Sequence, residues 1–173
     1  DLLKLYDEWL INFPAYNGRS IVGQIMSNKA QKMIDYKLAT KTEIFDLFEN
    51  AYQTDPVSFD DPKPLYNYFK TYFELYKAGN GEITLNQIFN KYEELSERYN
   101  SIIDEYSKKI DIIINKENSG IALTSREKRN KRVYEINSNA SNIYLRNLNA
   151  IIAKESTCEN LIPQQMHTAP KAR

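Results

Sequence analysis

Few residues in this chain have the types and spacing that covalent chemistry requires. Nucleophilic catalysis needs a Ser, Cys or Thr near a histidine base, but the only cysteine, Cys158, and the only histidine, His167, lie close to the end of the sequence. The sequence also lacks the Cys/His spacing of a zinc site and the clustered glycines of a phosphate-binding loop. We therefore predict a protein that is not an enzyme and that holds no cofactor or metal.

Three aspartates, Asp55, Asp60 and Asp61, lie near Ser58 in a proline-rich segment. Hard cations bind several carboxylate oxygens, so these residues could gather one. Their spacing differs from that of a calcium-binding loop, and aspartate is common at helix starts and in turns. We expect these residues to cap helices or to form an acidic linker.

A basic cluster is the clearest candidate for binding. The segment "SREKRNKR" (125–132) places five cations within about two helical turns: Arg126, Lys128, Arg129, Lys131 and Arg132. Such a cluster could contact phosphates or lipid headgroups, or it could be the solvated tip of a helical pair. No aromatic residue interleaves to stack on bases, so nucleic acid is not favoured as a partner.

The overall charge and hydropathy exclude some classes of partner. Lys and Arg together number 23, and so do Asp and Glu, which leaves no global field that would attract nucleic acid or an anionic membrane. No apolar run approaches the roughly 20 residues that span a bilayer. We predict no transmembrane span, and this prediction is compatible with a place in a membrane-associated complex.

Apolar residues recur at helical spacing along most of the chain, and no segment alternates apolar and polar residues as a strand does. The fold class is therefore predicted to be all-α. The cleanest stripe is aromatic and is expected to pack in the core: Tyr68, Phe69, Tyr72, Phe73 and Tyr76. Tyr66 lies off this stripe, and we predict that it lines a binding groove, since tyrosine offers a large contact area with a polar end.

Two long helices are predicted in the second half. Apolar residues from Leu85 to Ile113 alternate by three and four, and Thr84 with Gln87 forms a capping box at the start. A looser stripe to about Lys154 predicts its antiparallel partner: Val133, Ile136, Ala140, Ile143, Leu148 and Ile151. We therefore expect a long helical hairpin.

The first half has the order of a helical repeat. A helix at 20–36, a short turn and a helix at 42–54 end in Asp55-Pro56, which matches a repeat of roughly 34 residues closed by proline. We predict one continuous domain with three parts: residues 1–82 form the repeat-like part, 83–157 form the hairpin, and 158–173 form a flexible terminal segment.

Several segments resemble a tetratricopeptide-repeat (TPR-like) family common in the Bacteroidota. In "FDLFENAYQTDP" (45–56), Phe48 and Ala51 stand at the aromatic and small positions of that repeat, whereas its first helix carries Gln31-Lys32 where the family has a large and a small apolar residue. The segments 66–99, 118–129 and "CENLIP" (158–163) resemble the C-terminal region of these proteins. The resemblance implies antiparallel helical pairs followed by a long hairpin.

The resemblance also implies a function and a location. It implies a non-enzymatic scaffold or adaptor that binds other proteins in the bacterial cell envelope, so a periplasmic or envelope location is expected from it alone. We also expect the chain to be a piece of something longer, and residues 164–173 to be either a flexible tail or a segment that is not native to it. The alternative is a protein that binds nucleic acid or an anionic surface through residues 126–132. The sequence identifies neither the partner nor the oligomeric state.

Overall fold

The computed structural model describes the backbone of residues 2–16, 18–79 and 82–166, and the side chains of those residues as far as residue 156. The fold is all-α, as predicted. Its helices are α1 (Leu2–Asn12), α2 (Val22–Asp35), α3 (Lys41–Thr54), α4 (Pro62–Lys77), α5 (Leu85–Asn118) and α6 (Ser125–Met166).

One short β-ribbon departs from the prediction that strands are absent. Strands β1 (Ala15–Tyr16) and β2 (Arg19–Ser20) pair antiparallel between α1 and α2. Gly18 has a φ of +75°, a conformation that glycine adopts without steric cost. The Asn-Gly dipeptide at 17–18 is the common sequence of a two-residue hairpin turn, but two-residue strands are too short to show alternation.

Local side chains fix the helix starts. Capping boxes join Thr40 to Glu43 at α3 and Thr84 to Gln87 at α5, and the second confirms the sequence prediction. The Asp61 carboxylate accepts a hydrogen bond from the Lys63 amide at the start of α4, where Pro62 occupies the first helical position. Capping is the role predicted for the aspartates, and Asp61 has it.

The core lies between α3, α4 and α5. Phe48, Ala51 and Tyr68 are fully buried, and the rings of Phe45 and Tyr72 stack with centroids 4.8 Å apart. On the other side of α4, Phe69 is fully buried against Tyr92 of α5, with ring centroids 6.5 Å apart. The aromatic stripe therefore packs in the core, as predicted, and it contacts both α3 and α5.

Helices α5 and α6 lie side by side and run antiparallel. Near their connection, Lys116 pairs with Glu127. Further along, the rings of Tyr106 and Tyr134 lie 5.7 Å apart, and Tyr92 donates a hydrogen bond to Asn149. The backbone of α6 is helical to Met166, past the predicted end near Lys154, and residues 167–173 lie outside the described part.

Candidate functional site

The side of α6 that packs against α4 and α5 coincides with the predicted stripe only in the second half of the helix. Leu148 and Ser141 are fully buried, and Ile152 is nearly so. Tyr106 of α5 contacts Tyr134 and accepts a hydrogen bond of 3.1 Å from Asn137. The buried side of α6 is therefore a mixed aromatic, aliphatic and amide stripe.

The aliphatic residues of the predicted stripe are exposed over the first half of α6. Val133, Ile136 and Ile143 expose 46%, 57% and 54% of their surface. The prediction that they pack against the preceding helix was wrong, whereas Leu148, of the same predicted stripe, is buried. The residues from 126 to 143 that share this exposed side by helical spacing form what we call the α6 outer face: Arg126, Arg129, Arg132, Val133, Ile136, Ala140 and Ile143.

Packing against α4 accounts for this rotation of α6. The ring of Tyr144 lies 5.0 Å from the ring of Tyr66 on α4, and Glu155 pairs with Lys77 at 3.0 Å. With Tyr144 held towards α4, Ile143 and Ile136 lie on another side of the helix, because successive helical residues are about 100° apart. Helix α6 therefore presents one apolar side to its neighbours and a second to solvent.

The five cations predicted as a binding cluster do not all face solvent. Lys131 is directed towards α5, where its ammonium lies 2.6 Å from the Glu117 carboxylate. The other four, Arg126, Lys128, Arg129 and Arg132, are exposed and form no ion pair with any residue that the structure describes. Three of these four belong to the α6 outer face, so its N-terminal end is positive and the rest is aliphatic.

An electrostatic contact fixes the start of α6. Glu127 accepts hydrogen bonds from Lys116 at 2.5 Å and from the amide and hydroxyl of Thr124 at 2.8 Å. The hydrogen bond from Lys116, followed by those from Thr124, lowers the pKa of Glu127 to about 2. These contacts tie the connection between α5 and α6 to the first turn of α6, which carries the arginines.

Tyr66, predicted to line a groove, is half-buried between two helices. Its ring lies against the ring of Tyr144 of α6, tilted by 30°, so Tyr66 contributes to the contact between α4 and α6. Tyr66 is not part of the α6 outer face.

A concave surface lies between α3, α4 and α5. The cavity has a volume of about 540 Å³, with Phe45 and Tyr72 among its apolar residues and Asp46, Glu82 and Glu94 among its acidic ones. Glu94 pairs with Lys91 at 3.0 Å. The groove is acidic, in contrast to the α6 outer face.

The described part of the chain gives no sign of a metal centre or a membrane span. No group of three or more His, Cys, Asp or Glu side chains is placed to hold a metal within residues 2–156. None of the helices described is long and apolar enough to cross a membrane. The side chains of Cys158 and His167, the two residues considered for catalysis, lie outside the described residues.

Sequence reasoning missed the α6 outer face because two stripes on this helix obey the same spacing. The buried stripe contains Tyr134, Ser141 and Leu148, while the exposed one contains Val133, Ile136 and Ile143. The exposed stripe is the more aliphatic, so hydropathy favours it as the core. The aromatic residues Tyr134 and Tyr144 were the available signal for the buried side.

Comparison with known proteins assigns neither a family nor a function to this chain. No protein-family model, no curated protein and no solved structure matches this chain.

Proposed function

We propose that the protein is a non-enzymatic helical scaffold or adaptor that binds a protein partner through the α6 outer face. The exposure of Val133, Ile136 and Ile143 on one side of a helix carries the proposal. Contiguous exposed aliphatic surface is uncommon on monomeric proteins and often marks interaction sites. The expected partner segment is an amphipathic helix, since helix-in-groove recognition uses the same spacing of apolar anchors.

The charge at one end of this face specifies the partner further. Arg126, Arg129 and Arg132 precede the aliphatic residues and form no ion pairs with described residues. A partner helix with acidic residues at one end and aliphatic residues after them would complement both parts. Electrostatic complementarity of this kind fixes orientation and speeds association more than it adds affinity.

The repeat family is part of the proposal. We propose that α2 and α3 form a TPR-like pair, supported by their packing against each other and by the burial of Phe48 and Ala51. Helices α5 and α6 would then be the long hairpin that follows such pairs in the family. A partner within a bacterial cell-envelope complex follows from the sequence resemblance.

The test compares substitutions on two neighbouring helices. Replacing Ile136 and Ile143 with Ser removes the aliphatic part of the α6 outer face, and Ile112→Ser on α5 is the control because Ile112 is 70% exposed. In crosslinking from native membranes, we expect the double variant to lose the crosslinked partner and Ile112→Ser to keep it. Equal crosslinking by the native chain, the double variant and Ile112→Ser, or no crosslinking by any of them, would argue against the proposal.

A second candidate function is binding to an anionic surface. Four exposed cations without ion pairs to described residues favour it: Arg126, Lys128, Arg129 and Arg132. Binding of this kind weakens steeply with added salt because counterions are released on association. Lys128→Ser with Arg129→Ser and Arg132→Ser should abolish binding to anionic vesicles, and binding that is absent or independent of salt would remove this candidate.

A further inference from the structure

A cavity with a volume of about 310 Å³ lies away from the α6 outer face, between the β-ribbon, the start of α2, the α3–α4 connection and α5. Its lining includes Arg98, Glu105 and Lys109 of α5, and Val57 and Asp60 of the connection. Four elements therefore line a partly open space that contains charges of both signs.

Arg98 is a half-buried cation whose hydrogen-bonding capacity is only partly used. One of its terminal nitrogens, Nη2, donates a 2.8 Å hydrogen bond to the carbonyl oxygen of Val57. Its Nε is buried without a hydrogen-bond partner, and no carboxylate of the described chain forms an ion pair with it. A buried donor without a partner is costly, and so is a half-buried cation without an anion.

Asp60 is the opposite charge in the same cavity, and it too forms no ion pair with the described residues. Burial raises the pKa of Asp60, although the charge of Arg98 acts in the other direction. Of the other charges at the cavity, Lys109 pairs with Glu105 at 2.5 Å, and Arg19 is exposed at the mouth of the cavity without an ion pair to a described residue. Asp55, next to the cavity, accepts hydrogen bonds from Ser20 and Ser58. Arg98 and Asp60 are thus the half-buried cation and anion of this cavity that form no ion pair with a described residue, although Asp60 lies within the electrostatic influence of Arg98.

We propose that this cavity binds a small zwitterion of the amino-acid class, with its carboxylate at Arg98 and its ammonium at Asp60. A planar guanidinium carries five N–H donors and binds carboxylates through paired hydrogen bonds, and only one of the donors of Arg98 has a hydrogen-bond partner among the described residues. Ile21 and Val57 offer apolar surface for an aliphatic side chain. The proposal is independent of the α6 outer face.

The test uses three probes of similar shape and the whole chain. L-Leucine carries both charges, 4-methylpentanoate lacks the ammonium, and 3-methylbutylamine lacks the carboxylate. In isothermal titration calorimetry, we expect leucine to bind and each analogue to bind at least about tenfold more weakly, the change that corresponds to 1.4 kcal/mol. Absence of leucine binding, or equal binding of leucine and either analogue, would overturn the proposal.

Variants assign the two ends of the ligand. Arg98→Gln and Asp60→Asn should each abolish leucine binding, whereas Arg146→Gln and Asp111→Asn, at exposed positions, should leave it unchanged. Arg98→Lys keeps the charge and loses the forked donors, so it should weaken binding without abolishing it, and this variant tests the site even where Arg98→Gln unfolds. Leucine binding that persists in Asp60→Asn or Arg98→Gln, or that is as tight in Arg98→Lys as in the native chain, would contradict the assignment.

Discussion

Gly23 lies in the first turn of α2, where this helix passes close to the backbone that follows α3. A Cβ atom at this position would lie 2.1 Å from the carbonyl oxygen of Asp55 and 2.8 Å from the hydroxyl of Ser58. The same contact region contains the hydrogen bond of 3.2 Å from the Gln24 amide to that hydroxyl. A single glycine thus allows the start of one helix to contact the end of the next.

Close packing and helix propensity predict opposite changes in stability when Gly23 is replaced with alanine. Propensity alone predicts that Gly23→Ala stabilises the helix by about 1 kcal/mol. The contact with the Asp55 carbonyl predicts the opposite sign, a loss of about 1–3 kcal/mol in the free energy of unfolding, because the backbone must move. Urea denaturation measures the difference, with the exposed neighbour Gln24→Ala as the control. A more stable Gly23→Ala variant would contradict the contact.

Glu127 makes the start of α6 sensitive to acid. Hydrogen bonds from Lys116 and Thr124 lower its pKa from 4.5 in the unfolded chain to about 2 in the folded one. Its contribution to stability is therefore complete above pH 4.5 and is lost as the pH falls towards about 2. The carboxyl resonance of Glu127 should titrate near pH 2 and should move up in Lys116→Met. Titration near pH 4.5 in the native chain would show that the contact is absent in solution.

At the scale of elements, α6 carries two stripes of helical spacing, and only one of them packs. Leu148 is fully buried, whereas Ile143, five residues earlier, exposes 54% of its surface. Truncation of a buried leucine removes its transfer free energy and leaves a cavity. Truncation of an exposed isoleucine does neither.

Two alanine substitutions on one helix therefore test its rotation. Leu148→Ala should lower the free energy of unfolding by about 2–5 kcal/mol. Ile143→Ala should change it by at most about 0.5 kcal/mol, as surface substitutions do. Chemical denaturation of both variants gives the comparison. A large loss in Ile143→Ala with a small one in Leu148→Ala would restore the packing predicted from sequence.

A buried hydroxyl on α6 provides a further test of which side of this helix is packed. Ser141 is fully buried on α6, and its Oγ has no hydrogen-bond partner in the described structure. Removing an unsatisfied buried polar group relieves its desolvation cost, so Ser141→Ala should raise the free energy of unfolding by about 1 kcal/mol. The exposed Ser101→Ala on α5 is the control for the change in helix propensity. A destabilised Ser141→Ala variant would mean that this hydroxyl has a partner.

The sequence predicted the buried side of α5 better than that of α6, because the buried side of α6 depends on a contact between residues far apart in the chain. On α5 one apolar seam dominates, and Ile88, Leu95 and Ile102 of that seam are buried. On α6 the choice between two stripes depends on Tyr144 meeting Tyr66 of α4, a contact between residues far apart in sequence. Local periodicity contains no information on such a contact. The cations were identified from sequence, but their aliphatic continuation was not, because it was assigned to the core.

At the scale of the whole molecule, α4 joins the two parts of the fold. It packs against α2 and α3 on one side and against α5 and α6 on the other. These contacts bury the aromatic stripe of α4 and set the rotation of α6. The same packing that completes the core thus leaves Val133, Ile136 and Ile143 exposed, and we propose that these residues meet the partner.

Site-specific photo-crosslinking tests that claim most directly. A photoreactive amino acid would replace Ile136 in one variant and Ile112 in another, each expressed in its native cells. If the α6 outer face binds the partner, position 136 should give a single protein adduct and position 112 should give none. The adduct from position 136 should be lost when Ile143 and Val133 are also changed to Ser. Adducts of equal yield from both positions, or an adduct from position 112 alone, would contradict the proposed function.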